Sequence, residues 1–238
     1  MPSKENVWVF FLAGQSNMAG RGLVEPSDTI ASERIFSVNA DGEIVYAQEP
    51  LHYYEPDLTG LDCGLSFGKS LMSHLPDEVS LLILPTAVGG SSIEQWLGDS
   101  THRNVPLMTN FKEKVAIGQQ YGTLKGILWH QGESDAQEER ITKYQERLST
   151  LITTFREIAR NDSLPVLLGE LGGYSENNEN WQRINQEIHA YAAQDSFSMV
   201  INTQDFDHKG DKVHFNSDGQ REMGKRFAEA YLKLIQVP

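Results

Sequence analysis

The sequence is poor in cysteine, because Cys63 is the only one among its 238 residues. A single cysteine cannot form an intramolecular disulfide, so nothing in the sequence ties the fold to an oxidising compartment. Leucine, glycine and phenylalanine lie close to Cys63 in the sequence. We therefore expect its side chain to be a small buried apolar group rather than a catalytic thiol.

The sequence also has few basic residues, 20 Lys and Arg against 33 Asp and Glu, which gives a net charge of −13. This charge argues against nucleic acid or an anionic membrane surface as the main partner. No apolar run reaches the roughly 18 residues of a membrane-spanning helix, and residues 1–6 do not resemble a signal peptide. We expect a small-molecule or oligosaccharide partner, no cofactor, and a location in the cytoplasm or, for a mature form, outside the cell.

The length suits one domain formed by residues 1–238. Short apolar segments predict five strands, near residues 7–13, 79–85, 125–130, 164–169 and 199–203. Amphipathic segments predict helices near residues 65–75, 108–120, 138–160, 178–194 and 217–235. This alternation predicts a parallel sheet covered on both faces by helices, a three-layer α/β/α sandwich. Residues 21–62 form a polar insertion with β-like pieces at 34–38 and 43–46, which we expect to wall one side of a cleft.

A candidate nucleophile follows the first predicted strand. The sequence Gly14-Gln15-Ser16-Asn17 comes directly after an apolar run at residues 7–13. Open α/β sheets bind ligands at the carboxyl edge of their strands, where this turn would lie. A hydroxyl there, beside the first amides of a helix, is well placed to attack a substrate, so Ser16 is the candidate. Serine and asparagine after a strand are also ordinary helix caps, which is the alternative interpretation.

A candidate base lies near the other end of the chain. Asp211 and His214 are three residues apart, a spacing that places both side chains on one face of a turn. The carboxylate can then hold one ring nitrogen, while the other nitrogen takes a proton from a serine. With Ser16, these residues provide a nucleophile, a general base and an orienting group.

Two further segments predict donors for an oxyanion. Gln131 follows the strand at 125–130, and its side-chain amide can donate to a negative oxygen. Gly89 and Gly90 follow the strand at 79–85, where glycine exposes backbone amides without a Cβ in the way. Gly90 is the predicted backbone donor, and Gly89 is the alternative.

These four motifs, 14–18, 89–90, 129–133 and 211–214, resemble the SGNH-hydrolase superfamily. They are most similar to its sialate O-acetylesterases and to the acetylxylan esterases of carbohydrate esterase family six. The resemblance implies a five-stranded, flavodoxin-like sheet and removal of O-acetyl groups from sugars through an acyl-enzyme. It also implies Ser16 as nucleophile, His214 as base, Asp211 as its partner, and an oxyanion hole of the Ser16 amide, the Gly90 amide and Gln131. Gln131 stands where the superfamily has asparagine.

Three residues beside these motifs are candidates for substrate binding. Gln15 adjoins the nucleophile. Arg21 could pair with a substrate carboxylate or bond local carbonyls, and Glu133 could accept a sugar hydroxyl or brace loops through hydrogen bonds. His130, between Trp129 and Gln131, is expected to be a hydrogen-bonded strand-end histidine rather than a second base.

Two rival functions stay open at this point. The cluster Asp205, Asp207, His208, Asp211 and His214 has the donor types of a divalent metal site, and a hydrolase could use a metal-bound water there. A non-catalytic carbohydrate-binding domain would instead use three tryptophans as stacking platforms, Trp96, Trp129 and Trp181. Such a domain has no need for Ser16, Asp211 and His214 together.

Overall fold

The computed structural model describes residues 1–235, so residues 236–238 of the predicted domain lie outside that range. Its strands, in chain order, are β1 Val7–Gly14, β2 Ile35–Val38, β3 Ile44–Tyr46, β4 Ser80–Pro85, β5 Thr101–His102, β6 Val105–Pro106, β7 Thr123–His130, β8 Val166–Gly169 and β9 Ser198–Ile201. Its helices are α1 Ser16–Ala19, α2 Gly64–Met72, α3 Ile93–Leu97, α4 Leu107–Tyr121, α5 Glu138–Ile141, α6 Tyr144–Ala159, α7 Asn178–Ala192 and α8 Ser217–Ile235. None of the helices in the described range combines the length and apolar composition that crossing a membrane requires.

Seven strands form one central sheet in the order β3-β2-β4-β1-β7-β8-β9. All neighbours are parallel except β2 and β3, which are antiparallel. The five predicted strands occupy the adjacent positions β4-β1-β7-β8-β9, which is the flavodoxin-like order. The expected count of five is nevertheless wrong, because the insertion adds two strands at one edge.

The insertion joins the sheet because its apolar residues need burial. All four residues of β2 are buried, and Phe36 lies opposite Leu82 of β4 in parallel register. The Ser37 hydroxyl, which would otherwise be an unpaired buried group, donates to the Ile83 carbonyl oxygen at 2.9 Å. In β3, which closes this edge, Tyr46 is exposed. The β-like pieces expected at 34–38 and 43–46 are therefore strands, and they extend the central sheet.

Side chains of the central strands alternate between two apolar layers. Phe11 of β1 belongs to a buried cluster with Phe111 of α4 and Phe155 of α6. Phe10 points the other way, into a second cluster with Phe227 of α8. Helices therefore cover both faces of the sheet, which confirms the predicted layered α/β architecture.

One predicted helix differs from the structure in its bounds, whereas α8 has the predicted range of 217–235 and differs only in its N-terminal cap. The long helix predicted at 138–160 is divided into α5 and α6. Residues 217–220 have the pattern of a capping box, yet Asn216 Oδ1 accepts the Gly219 amide at 2.8 Å. Gln220 Nε2 instead donates to the Asn17 carbonyl oxygen at 2.9 Å, so the start of α8 is tied to the turn after β1.

Candidate active site

The turn after β1 is held tightly against the end of β7. Gly14 has a φ of +138°, and a Cβ at this position would lie 2.1 Å from the His130 carbonyl oxygen. Only glycine permits this close approach of the two strand ends. The next amide, of Gln15, donates to the same oxygen at 3.0 Å. Ser16 then begins α1 with a side chain that is largely buried at the sheet edge.

Ser16, His214 and Asp211 form a continuous hydrogen-bonded set. His214 Nε2 lies 3.0 Å from Ser16 Oγ. The other ring nitrogen, Nδ1, lies 2.7 Å from Asp211 Oδ2, so it carries the hydrogen and Nε2 is the acceptor for the serine. The structure thus brings together the three side chains that the motifs singled out, from opposite ends of the chain.

The Asp211 carboxylate is stabilised in its charged form. Partial burial alone would raise its pKa, but hydrogen bonds from the His214 amide and ring and from the Val213 amide lower the pKa of Asp211 to about 2. Both amides donate to Oδ1, Val213 at 3.0 Å and His214 at 2.8 Å. Asp211 therefore stays ionised and keeps the imidazole in the required orientation.

Asn17 joins the nucleophile turn to the His214 loop. Its Nδ2 donates to the Val213 carbonyl oxygen at 3.1 Å, and its Oδ1 accepts the Phe215 amide at 3.0 Å. These two contacts lie on either side of His214 in the sequence. Asn17, treated above only as a capping residue, thus fixes the distance between Ser16 and His214.

A cavity of about 390 Å³ opens beside Ser16 and His214. All three residues predicted to bind substrate line it, together with both glycines of the 89–90 turn. The lining residues are Gln15, Ser16, Arg21, Leu58, Gly89, Gly90, Arg103, Glu133, Ser134, Lys209, Asp211, Val213 and His214.

Two backbone amides at the cavity are free to donate. The Gly89 amide is occupied by Glu55 Oε2 at 2.6 Å. The Gly90 amide has no acceptor in the described part of the chain, and neither does the amide of Ser16 at the start of α1. Between the two glycines that the sequence left open, the structure thus favours Gly90 as the donor.

The Gln131 side-chain amide is engaged in contacts inside the protein. It is fully buried behind the cavity, and its Nε2 donates to Asp135 Oδ2 at 2.6 Å and also contacts Gln15 Oε1 and the Ser91 carbonyl oxygen. This placement does not fit the predicted role, because the amide hydrogens are already used inside the protein.

Gln15 is oriented by those same contacts. Its Oε1 accepts hydrogen bonds from Gln131 Nε2 at 3.1 Å, from the Ser134 amide at 3.2 Å and from the Gly132 amide at 3.4 Å. Its own Nε2 has no acceptor among residues 1–235, and Gln15 lines the cavity. Within residues 1–235 the side-chain amide next to Ser16 is therefore a free donor, which the sequence did not reveal.

Arg21 is part of a buried ion pair. Arg21 Nη2 lies 2.8 Å from Glu55 Oε2, with both side chains 5% exposed, and Arg21 Nη1 donates to the Gly20 carbonyl oxygen at 2.7 Å. Arg103 pairs with the other oxygen of Glu55 and is 43% exposed. Although burial opposes ionisation, the bonds from Arg21 and Gly89 lower the pKa of Glu55. No motif in the insertion pointed to Glu55.

Glu133 and His130 serve as internal braces. Glu133 Oε1 accepts Asn17 Nδ2 at 2.7 Å and lies 3.8 Å from His130 Nδ1, with the Glu133 side chain 6% exposed. His130 Nε2 donates to the Glu170 carbonyl oxygen at 2.8 Å, and burial lowers the pKa of His130. The bracing interpretation of Glu133 therefore fits these contacts better than that of a sugar-binding residue.

Two members of the candidate metal cluster, Asp205 and His208, are engaged with other groups. Asp205 pairs with Arg226, and His208 Nδ1 accepts the Gly210 amide at 2.9 Å. Within residues 1–235, no group of three or more His, Cys, Asp and Glu side chains is arranged to hold a metal ion.

The tryptophans of the binding-module alternative are core residues. Trp96, Trp129 and Trp181 are at most 3% exposed, so their rings cannot serve as stacking platforms for a sugar. Cys63 is also fully buried, and burial raises the pKa of its thiol well above the usual value. This confirms its interpretation as an apolar core group.

Comparisons with known proteins agree with the motifs. The family model for carbohydrate esterases described as sialic acid-specific acetylesterase matches residues 6–233. A probable carbohydrate esterase of Arabidopsis thaliana is 26% identical over 245 residues, covering 94% of this chain and 90% of that protein.

Solved structures show the same fold. A structure from Arabidopsis thaliana has a TM-score of 0.85 at 24% identity, covering 96% of this chain and 98% of that one. NanS has a TM-score of 0.77 at 17% identity, with 99% of each chain covered. A carbohydrate acetylesterase from Xanthomonas citri has a TM-score of 0.73 at 21% identity, covering 96% of this chain and 56% of that one. Because the family model spans nearly all of the sequence, this chain belongs to the carbohydrate esterase family of sialic acid-specific acetylesterases and is a carboxylic ester hydrolase.

Proposed function

We propose that this chain is a serine-dependent esterase that removes O-acetyl groups from acetylated sugars through an acyl-enzyme. The observation that carries the proposal is the hydrogen-bonded set of Ser16, His214 and Asp211 at the mouth of the cavity. A nucleophile, a base within 3.0 Å and an ionised group behind the base make up the geometry of acyl transfer. Membership of the family supports the choice of an acetyl ester.

The first half-reaction forms an acetyl ester on Ser16. His214 Nε2 accepts the hydroxyl proton while Ser16 Oγ bonds to the acetyl carbonyl carbon, whose oxygen becomes negatively charged. The carbon–oxygen bond to the sugar then breaks, and the protonated ring gives its proton to the departing sugar oxygen. In the second half, a water loses a proton to His214 and its oxygen bonds to the acetyl carbon. The bond between that carbon and Ser16 Oγ then breaks, His214 returns the proton to Ser16 Oγ, and acetate leaves.

Three donors stabilise the oxyanion in this proposal, the amides of Ser16 and Gly90 and the Gln15 Nε2. The support is that each is unoccupied within the described residues and belongs to a residue lining the cavity. Gln15 replaces Gln131 in this role, and Gln131 becomes the group that orients Gln15. Donors fixed before the reaction cost no reorganisation when the charge develops.

We further propose that the sugar carries a carboxylate. Arg103 supports this, because its guanidinium lines the cavity and is 43% exposed, whereas Arg21 is buried against Glu55. Arg103 takes the carboxylate-binding role that was one of the two alternatives for Arg21, and Arg21 makes the local carbonyl bond of the other alternative. The test compares acetate release from an O-acetylated sialic acid and from an acetylated xylooligosaccharide, with wild type and Arg103→Ala. We expect Arg103→Ala to raise KM for the anionic sugar only, and equal KM changes would contradict this assignment.

The direct test of the serine mechanism uses the same assay. We expect Ser16→Ala to lose at least about 10⁴-fold in kcat, since the residual rate then comes from binding and oxyanion stabilisation alone. The matched control is Ser149→Ala on the exposed face of α6, which leaves the rate unchanged. Dialysis against a chelator distinguishes the serine mechanism from a metal-dependent one, because removing the metal abolishes a metal-dependent reaction and leaves the serine reaction intact.

The acid limb of the rate profile also follows from the geometry. Because the pKa of Asp211 is lowered to about 2, Asp211 stays ionised above that pH. We expect kcat to fall on acidification from pH 7 to pH 4, because a histidine ring ordinarily becomes charged in this range and a charged ring cannot accept a proton. A rate that stays flat over this range would contradict His214 as the base.

A further inference from the structure

We propose that His102 is a positioning residue that orients and polarises the Gly89–Gly90 peptide group, the backbone part of the oxyanion hole. The inference rests on the function proposed above. His102 Nε2 lies 2.9 Å from the Gly89 carbonyl oxygen. That oxygen and the free amide of Gly90 belong to one peptide group. A group that holds the Gly89 carbonyl oxygen therefore also acts on the Gly90 N–H, the proposed donor.

The direction of the donor is fixed by this contact. A peptide group is planar and trans, so holding its carbonyl oxygen also sets the direction of its N–H. The preceding amide, of Gly89, is held on the other side by Glu55 Oε2 at 2.6 Å. Gly90 itself has a φ of +77°, a backbone conformation that glycine adopts without strain. His102 and Glu55 thus hold Gly89 at both of its backbone polar atoms.

A series of hydrogen bonds, each donated toward the next group, ends at the Gly89–Gly90 peptide group. A carbonyl oxygen only accepts, so His102 Nε2 carries a hydrogen, and Nδ1 is left to accept from Gln95 Nε2 at 3.3 Å. Gln95 Oε1 in turn accepts the Ser92 amide at 2.8 Å. Each donor in this series polarises the next, which makes the Gly90 N–H a stronger donor than an isolated amide.

The element that carries His102 is suited to positioning. His102 ends β5 and is paired with Val105 of β6, across a two-residue turn in which Arg103 and Asn104 have φ values of 49° and 65°. Positive φ at both central residues is typical of the tight turns that match strand twist. The imidazole is therefore presented to Gly89 from a short hairpin rather than from an irregular loop.

The test compares two substitutions at His102. His102→Phe keeps a planar ring but removes the donor, and His102→Gln restores an N–H. We expect His102→Phe to lower kcat by about tenfold, less than the about 10²–10³-fold cost of deleting an oxyanion donor, with KM within about twofold. His102→Gln should regain most of the lost rate. The matched control, His74→Phe after α2, leaves kcat unchanged because His74 is exposed and far from Gly89 in the fold.

A second readout separates positioning from a general structural role. An alkylboronic acid forms a tetrahedral adduct on serine that places an oxygen in the oxyanion hole, so its affinity follows transition-state stabilisation. We expect its Kd to rise in His102→Phe by the same factor as kcat/KM falls, and to recover in His102→Gln.

The possible outcomes separate the proposal for His102 from the proposed serine esterase function. If His102→Phe keeps the kcat and the boronate affinity of wild type, the inference about His102 is overturned while the serine mechanism stays intact. Equal losses in His102→Phe and His102→Gln, with lower thermal stability in both, would also overturn it, because they would show a packing role. A wild-type protein without Ser16-dependent activity would overturn the proposed function and this inference together.

Discussion

The two sides of the cavity are built in different ways. On one side, Gln15 and Ser16 follow the buried strand β1, and they are 3% and 6% exposed. On the other side, Asp211 and His214 lie on a loop before α8, where the Asp211 side chain is 37% exposed and Val213 is equally so. Ser16 is therefore positioned by the sheet, while His214 is positioned by a small number of hydrogen bonds to a surface loop.

This difference shows which substitutions should disturb each side of the cavity. The position of Ser16 follows from the register of β1 against β4 and β7, which many residues share. The position of His214 depends on Asp211, which holds its ring, and on Asn17, which holds both of its neighbours. We expect substitutions on the first side to remove chemical groups, and substitutions on the second to misplace them.

The largest effect after loss of the nucleophile is expected for Gln15→Ala. Removing an oxyanion donor typically lowers kcat by about 10²–10³-fold and changes KM little. Gln48→Ala, at an exposed position of the insertion, is the control with no expected effect. Steady-state kinetics on an acetylated sugar provides the measurement.

Gln131→Ala sharpens the assignment of that donor. Gln131 is buried, so its loss removes one hydrogen bond each from Asp135 and Tyr144 and should lower the thermal midpoint as well as the rate. If Gln131→Ala instead loses as much kcat as Gln15→Ala at unchanged stability, the donor is Gln131 and our reassignment is wrong.

The second largest effect is expected for Asn17→Ala, which tests the surface-loop side. The variant loses both contacts that flank His214, and a displacement of about 1 Å at a reacting group costs about 10²-fold in rate. We therefore expect kcat to fall by about this factor at nearly constant KM. Asn39→Ala, at the far edge of the sheet, is the control. An unchanged kcat would show that other contacts suffice to hold the loop.

The smallest effect on rate, but a clear one on stability, is expected for Glu55→Gln. Removing the charge leaves Arg21 buried without an ionised partner, and breaking such an ion pair costs about 3 kcal/mol in the free energy of unfolding. The folded protein lowers the pKa of Glu55 below its ordinary value of 4.5. The difference in free energy of unfolding between wild type and Glu55→Gln is thus fully present above that pH and declines as the pH falls below it. Urea unfolding of wild type and Glu55→Gln at pH 7 and pH 4 measures this difference. An equal difference at both pH values would contradict the claim that Glu55 is ionised in its pair with Arg21.

Much of this architecture was predictable from the sequence. The central strands are short apolar runs, and the rule that parallel strands expose their carboxyl ends at one edge placed the 14–18, 89–90 and 129–133 motifs together. The three-residue spacing of Asp211 and His214 predicted their contact, which the structure shows at 2.7 Å. These features depend on local patterns and on strand direction, which a sequence contains.

The remaining features depend on long-range contacts that no local pattern reveals. Gln15 and Gln131 are both glutamines beside a glycine, and only the tertiary hydrogen bonds determine which amide is used inside the protein. Glu55 lies in an insertion without a motif, and its role depends on Arg21, Gly89 and Arg103 from three separate segments. The β-like character of residues 34–38 and 43–46 was visible in the sequence, but only the pairing of β2 with β4 and β3 shows that they extend the central sheet.

The most direct test of the central claim is the site of covalent labelling by a small fluorophosphonate, read by mass spectrometry of peptides. We predict one adduct, on Ser16, in the wild-type protein, and a labelling rate that falls by orders of magnitude in His214→Ala because the base is lost. No adduct on Ser16, or an adduct that forms equally fast without His214, would contradict the account.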